Sequence, residues 1–227
     1  MTAILSNLQA VHTAINRAAL DAQRDATDIH LLAVSKTVPA GVIREAYKHG
    51  QHAFGENYLQ EALDKMKDLD DLPLEWHFIG PIQSNKTRAI AENFNWVHSI
   101  DRLKIAQRLS EQRPEKLPLL NICLQINVNE EASKSGVAIN EAEALAHDIA
   151  GLPRLKFRGL MTIPAPSKEL REQRASFAKM HELLNKLNAT GLHLDTLSMG
   201  MSYDLTAAVL EGATIVRVGT AIFGSRN

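Results

Sequence analysis

One cysteine, no surplus of either charge and no long apolar run are the first things the 227-residue sequence shows. A lone Cys123 excludes an internal disulfide and a multi-cysteine metal site, and fits a reducing compartment. It lies in an apolar run and reads as a small core residue. With 25 basic and 26 acidic residues, and no Lys/Arg cluster, a generic nucleic-acid binder is not expected. No stretch approaches the roughly 20 apolar residues of a membrane span. The N-terminus lacks a basic n-region followed by a continuous apolar core, so the expected location is the cytoplasm. The nine histidines show neither H-x-x-x-H nor H-E-x-x-H spacing, which leaves no metal site in view. No G-x-G-x-x-G turn is present to mark a dinucleotide-binding half.

What is there is alternation. Ile4, Leu8, Val11, Ile15, Ala18 and Ala19 recur at helical spacing over residues 2–25 and form one apolar face. From there strand-length apolar runs alternate with helix-length segments. Strands are expected at 31–36, 52–56, 75–79, 96–100, 117–128, 155–161, 194–198 and 214–218. Helices are expected over 40–49, 57–69, a segment opened by Ser84, one capped by Asp101 and reaching about residue 111, one opened by Asn140, 169–189 and 203–210. Eight βα units with no linker and no break in composition predict a parallel sheet closed into a (β/α)8 barrel, one α/β domain over 1–227 with an extra N-terminal helix. An open doubly wound sheet of eight strands is the alternative.

Closure places strand eight beside strand one, and sites in such barrels lie at the C-terminal strand ends. Lys36 stands at the end of the first strand. Alone, it could form a Schiff base, meet a phosphate or be the first solvated residue after a strand. Gly200, Met201 and Ser202 precede a short helix, and Gly219 and Thr220 follow strand eight. Each group reads either as a helix cap or as a phosphate cradle of backbone N–H groups and a hydroxyl. Arg217, within the apolar strand IVRV, points into the barrel or out between helices, and an inward guanidinium needs an acceptor. A strand-end lysine, an inner arginine and a phosphate cradle suit an aldehyde carrying a ring nitrogen and a phosphate, which describes pyridoxal 5′-phosphate (PLP).

Five stretches carry a wider resemblance: LLAVSKT (31–37), FGENYLQE (54–61), WHFIGPIQSNK (76–86), SMGMSYDL (198–205) and RVGTAIFG (217–224). Across essentially its whole length the chain resembles the pyridoxal-phosphate homeostasis protein family, single barrels similar to the N-terminal domain of alanine racemase. The resemblance implies that Lys36 carries the Schiff base and that Arg217 contacts the pyridine nitrogen. It implies that the Met201 amide, Ser202, Gly219 and Thr220 bind the phosphate, and that Asn57 borders the cofactor. The expected function is a PLP carrier or buffer acting in vitamin B6 and amino-acid balance, serving PLP-dependent apo-enzymes, as a monomer and without turnover. The rival is an amino-acid racemase. Two-base racemisation needs an acid/base group on each face of the substrate Cα. In the racemases the second group is a tyrosine of an additional β domain, for which a chain ending at Asn227 has no room. Tyr47, Tyr58 and Tyr203 cannot be given that role from sequence. A third reading is a regulatory scaffold that senses PLP. His77 reads as a satisfied interior histidine, Lys134 as a loop lysine at the site end of the barrel, and Asp204 and Glu56 as groups that could touch a substrate.

Overall fold

The computed structural model describes residues 2–129 and 135–224. Its eight strands are β1 (His30–Val34), β2 (Ala53–Glu56), β3 (Glu75–Phe78), β4 (Trp96–Ile100), β5 (Leu120–Ile126), β6 (Leu155–Thr162), β7 (Thr196–Ser198) and β8 (Ile215–Val218). They pair in parallel, in sequence order, and close when β8 meets β1, with Leu32 opposite Arg217 and Ala33 opposite Val218. The barrel reading holds, and the open sheet is excluded.

The strands are apolar almost throughout because both faces are covered. Leu32, Trp96, Cys123, Met161 and Ile215 fill the barrel interior. The alternate residues, such as Leu31, Ala33, Val216 and Val218, pack outward beneath the helices. Arg217 shares the face of Ile215 and therefore points inward.

The helical layer is α1 (Ala3–Asp21), α2 (Ala40–Lys48), α3 (Leu59–Asp68), α4 (Thr87–Asn93), α5 (Leu103–Gln112), α6 (Ala142–Ala150), α7 (Leu170–Ala189), α8 (Leu205–Leu210) and α9 (Thr220–Phe223). The expected apolar face of α1 is buried through Leu8, Val11, Ile15, Ala18 and Ala19. It packs on α8 and α9, where the Asn7 side chain donates to the carbonyl of Ile222 at 2.8 Å. Arg24 ties the end of this segment to the turn after α8 through the carbonyls of Val209 and Ala213. None of these described helices is long and apolar enough to cross a membrane.

Three helix starts differ from expectation. Ser84 opens a separate 3-10 turn (Ser84–Lys86), and only its backbone carbonyl serves α4, by accepting from the Thr87 hydroxyl. Asp101 binds Arg102, the residue at the N-cap of α5, and does not cap that helix. Asn140 lies inside another 3-10 turn (Ile139–Glu141) ahead of α6. At α4 and α6 the short 3-10 lead-ins satisfy the first amides with backbone bonds, so Ser84 and Asn140 are released from capping.

Cys123 is wholly enclosed in the interior layer, and burial pushes its thiol up to about 12. A thiol that cannot ionise or meet reagent does not react. Native protein should therefore leave a colorimetric thiol reagent unreacted, with one equivalent released only on denaturation. Rapid labelling of the folded chain would contradict this placement.

Candidate functional site

The site is built at the C-terminal mouth, where β1 gives way to a tight turn. Ser35 extends the ladder by donating its N–H to the carbonyl of Gly55 at 2.9 Å, and half-buried Lys36 follows. Thr37 then adopts a φ of +62°. A β-branched residue in the left-handed region is held there at a cost of about 1–2 kcal/mol.

The holding group is a buried polar cluster. Glu61 accepts the Thr37 N–H at 2.5 Å and is also bonded by the ammonium of Lys65. Lys65 donates to the Ser35 carbonyl at 2.7 Å and to Glu56 Oε1 at 2.9 Å, while the Ser35 hydroxyl donates to the same Oε1 at 2.6 Å. The residues on either side of Lys36 are thus pinned to one set of charges. Glu56, named above as a group that could touch a substrate, lies instead in this cluster. Burial raises its carboxyl above the usual range despite the bonds from Ser35 and Lys65, and its Oε2 has no partner.

Asn57 leaves β2 beside this turn. Its side-chain Oδ1 is buried and also lacks a partner, an acceptor fit for a ligand donor. Its backbone is fixed from the far side by Gly80. A Cβ on Gly80 would stand 2.5 Å from the Asn57 carbonyl oxygen, so only glycine lets the two loops touch.

Arg217 lies inside the barrel, its guanidinium donating to Ser198 Oγ and to the Thr162 carbonyl, each at 2.8 Å. Burial lowers its pKa to about 10, so it stays cationic at neutral pH. Two of a guanidinium's five N–H groups are tied down, and the rest suit an acceptor atom of a ligand.

The loops after β7 and β8 complete the mouth. The Arg217 N–H donates to the Gly200 carbonyl at 2.9 Å, which binds one loop to the last strand. Gly200 itself has a φ of +94°. The Ser202 and Thr220 hydroxyls belong to exposed residues, and Gly219 is half-buried at the head of α9. The Met201 amide, expected among the phosphate donors, donates to Asp204 Oδ1 at 2.5 Å in this structure. Asp204, named above as a group that could touch a substrate, is buried in its own loop, and burial raises its carboxyl pKa.

Lys36, Asn57, Arg217 and the loops at 200–202 and 219–220 therefore occupy the ends of adjoining strands β7, β8, β1 and β2. Lys134 lies outside the described residues. Among those described, no three His, Cys, Asp or Glu side chains are grouped to hold a metal. Cavity size does not locate the site. A cleft of about 880 Å³ opens at the opposite, N-terminal mouth, where no lysine lines it, and a recess of about 230 Å³ beside Ser202 and Tyr203 lies outside the barrel, between α1 and α8.

The model of the family described as alanine racemase, N-terminal domain, matches residues 7–227. A Pseudomonas aeruginosa pyridoxal phosphate homeostasis protein is 61% identical over the whole chain and 97% of its own length. The protein of the same description from Escherichia coli K12 is 51% identical, again across the whole chain and 98% of its own length. This chain belongs to the pyridoxal phosphate homeostasis protein family. Among solved structures, PipY of Synechococcus elongatus with PLP bound matches with a TM-score of 0.83 and 39% identity, covering 97% of this chain and all of that one. Alanine racemase of Corynebacterium glutamicum matches with a TM-score of 0.72 at 21% identity, over 99% of this chain and 61% of that one, a likeness of fold alone.

For this homeostasis-family barrel, the strand-end residues were readable, and the groups that hold them were not. Lys65 left a usable signal: it shares the buried face of α3 with Ala62, three residues earlier. A lysine on an apolar helix stripe, four residues after Glu61, predicts a buried partner. His98 and Ser198 left none, being 100 residues apart and joined only across the barrel.

Proposed function

We propose that this chain holds pyridoxal 5′-phosphate reversibly and acts in its homeostasis, and through it in amino-acid balance, as a carrier or buffer rather than an enzyme. The observation that carries the reading is the convergence on neighbouring strand ends of an amine (Lys36), a buried permanent cation (Arg217) and two hydroxyl-bearing loops. The orphaned Asn57 Oδ1 adds a buried acceptor beside them. The names of the Pseudomonas and Escherichia relatives, and the PLP-bound PipY structure, support the same ligand.

When bound, the cofactor supplies an aldehyde that links covalently to a lysine amine as a Schiff base, and an electron-withdrawing ring. In this reading Lys36 provides the amine. Ser202, Thr220 and the Gly219 amide take the phosphate, and Asn57 borders the ring. The Met201 amide joins them only as Asp204 yields it. Arg217 donates to the pyridine nitrogen and, staying cationic, gives up no proton there. That leaves the ring a weak electron sink, which counts against transamination-like chemistry more than against racemisation.

Racemisation is the second reading, favoured by the shared barrel. It needs a second acid/base group. Tyr47 packs edge-on against His52 and stands away from the site, while Tyr58 and Tyr203 are exposed at the site end. Following Cα proton exchange of single-enantiomer amino acids by NMR separates the two: exchange at a racemase's rate would sink the carrier reading. The chain acts in the cytoplasm as a monomer and one domain over 1–227, delivering PLP to apo-enzymes, and light scattering checks the monomer.

The direct test is visible absorption of the purified protein with added PLP. Wild type should show the long-wavelength band of a protein-linked cofactor, and Lys36→Ala should lose it entirely. An unchanged band in Lys36→Ala would remove Lys36 from its role.

A further inference from the structure

We infer that one directional hydrogen-bond chain crosses the barrel from Glu75 at the N-terminal mouth to Arg217 at the cofactor end, making His77, His98 and Ser198 positioning residues for the guanidinium. The inference rests on the reading above for what Arg217 does, and on the buried side-chain contacts for the chain itself.

The contacts are continuous. Glu75 Oε1 lies 2.6 Å from His77 Nε2, His77 Nδ1 lies 2.9 Å from His98 Nε2, and His98 Nδ1 lies 2.8 Å from Ser198 Oγ. Arg217 Nη1 donates to that same Oγ at 2.8 Å. His77 and His98 are buried, and the His77 ring is stacked on Trp96, 5.4 Å between centroids and 5° from parallel.

The ends fix the direction. Glu75 is held below the usual carboxylate range, chiefly by its bond from His77, so it is an acceptor only. His77 Nε2 must then carry a proton. Burial pushes both imidazoles down, His98 well below its ordinary value, so each carries a single proton. It follows that His77 Nδ1 accepts from His98 Nε2–H, and that His98 Nδ1 accepts from the Ser198 hydroxyl. Ser198 Oγ is left with its lone pairs toward Arg217, which can only donate. Every bond thus points from the cation at one end to the anion at the other, an arrangement in which neighbouring bonds strengthen one another.

The arrangement has a reversible alternative. Without an acceptor at the mouth, both histidines can exchange their protonated nitrogens, so that His98 Nδ1–H donates to Ser198. The displaced hydroxyl hydrogen must then turn toward other groups beside Arg217, weakening the guanidinium's hold. Glu75 can set this register from a distance because its side chain is half exposed, in the 880 Å³ cleft away from the cofactor loops.

The experiment uses the full-length chain with ¹⁵N-labelled histidine. In cofactor-free protein, His77 and His98 should both appear as neutral Nε2–H tautomers. Glu75→Leu, which offers no acceptor, should invert both, whereas Glu75→Gln, whose side-chain carbonyl still accepts, should invert neither. A structural role alone would not distinguish the two substitutions in this way. An imidazolium at either position near neutral pH, or a His98 tautomer unmoved in Glu75→Leu, would overturn the chain. With PLP added, the visible band should shift in Glu75→Leu and stay in place in Glu75→Gln. A band unmoved despite inverted tautomers would overturn the coupling to the cofactor end. If wild type forms no band at all, the cofactor reading fails, and the tautomer experiment still decides the chain.

Discussion

Lys65→Met destabilises the folded protein by about 3–5 kcal/mol at neutral pH, the cost of leaving a buried charge without its partner. Methionine keeps most of the lysine's volume, so the loss is electrostatic rather than a cavity. Glu56 Oε1 retains the Ser35 hydroxyl but loses the bond from Lys65, and Oε2 has no hydrogen-bond partner to make it up. The Ser35 carbonyl also loses its 2.7 Å donor. The pH dependence identifies the source. Glu56 already has a raised folded pKa because burial disfavours its charge, and removing Lys65 raises it further. A carboxyl whose folded pKa exceeds its unfolded value binds its proton more readily in the folded state. Its penalty is therefore full above the folded pKa, shrinks as pH falls through that value, and is gone below the ordinary carboxylate range. Urea denaturation of wild type and Lys65→Met across that window should show the two midpoints converging in acid. A deficit independent of pH would place the cost at the Ser35 carbonyl instead. The double variant Glu56→Gln with Lys65→Met should recover part of the loss, since the charge and its missing partner go together.

The same substitution bears on function because the cluster spans Lys36. With Lys65 gone, Glu61 loses its neighbour, and Thr37, held at φ +62° by Glu61, is freer to relax toward an ordinary conformation. The amine would remain while its placement loosened. Covalent capture of PLP should slow more than stability alone explains, a difference visible when both proteins are compared well below their denaturation midpoints.

How much of this was legible follows from what each kind of signal measures. Hydropathy alternation located all eight strands, since a parallel barrel covers both faces of every strand. It overstated their lengths where apolar residues lie beyond the paired ladder. The fifth strand, expected over 117–128, pairs only over Leu120–Ile126, and Leu119 just outside it is exposed. The seventh, expected over 194–198, is Thr196–Ser198, set by its neighbours' hydrogen bonds rather than by Leu194. Strand-end position singled out Lys36 and Arg217 as candidates, because the barrel's topology alone brings the ends together. What stayed hidden were satisfactions of buried polar groups: Asp204 bonding the Met201 amide three residues earlier, Glu61 reaching Thr37, and His98 meeting Ser198. Such bonds depend on side-chain direction at a given depth in the barrel, which neither period nor residue type encodes.

Gly200→Ala should cost about 2–5 kcal/mol, through two separate effects whose sizes can be told apart. A non-glycine residue at φ +94° is strained by about 1–2 kcal/mol. The added methyl would also stand 2.5 Å from the Ala208 Cβ on α8, an overpacking worth about 1–3 kcal/mol. Removing the obstructing methyl with Ala208→Gly relieves only the second effect, and by itself costs about 1 kcal/mol for glycine within a helix. The double variant should accordingly be more stable than the sum of the single losses by roughly the steric share, a coupling measurable in a thermal or urea double-mutant cycle. Strict additivity would mean that the loop moves away from α8 instead of pressing on it. That alternative carries its own signature. The Gly200 carbonyl accepts the Arg217 amide, and Met201 and Ser202 follow directly, so a displaced loop draws the proposed phosphate groups out of line with Gly219 and Thr220. Weakened PLP retention with unchanged capture at Lys36 would then follow, since the amine belongs to β1 and its own cluster holds it.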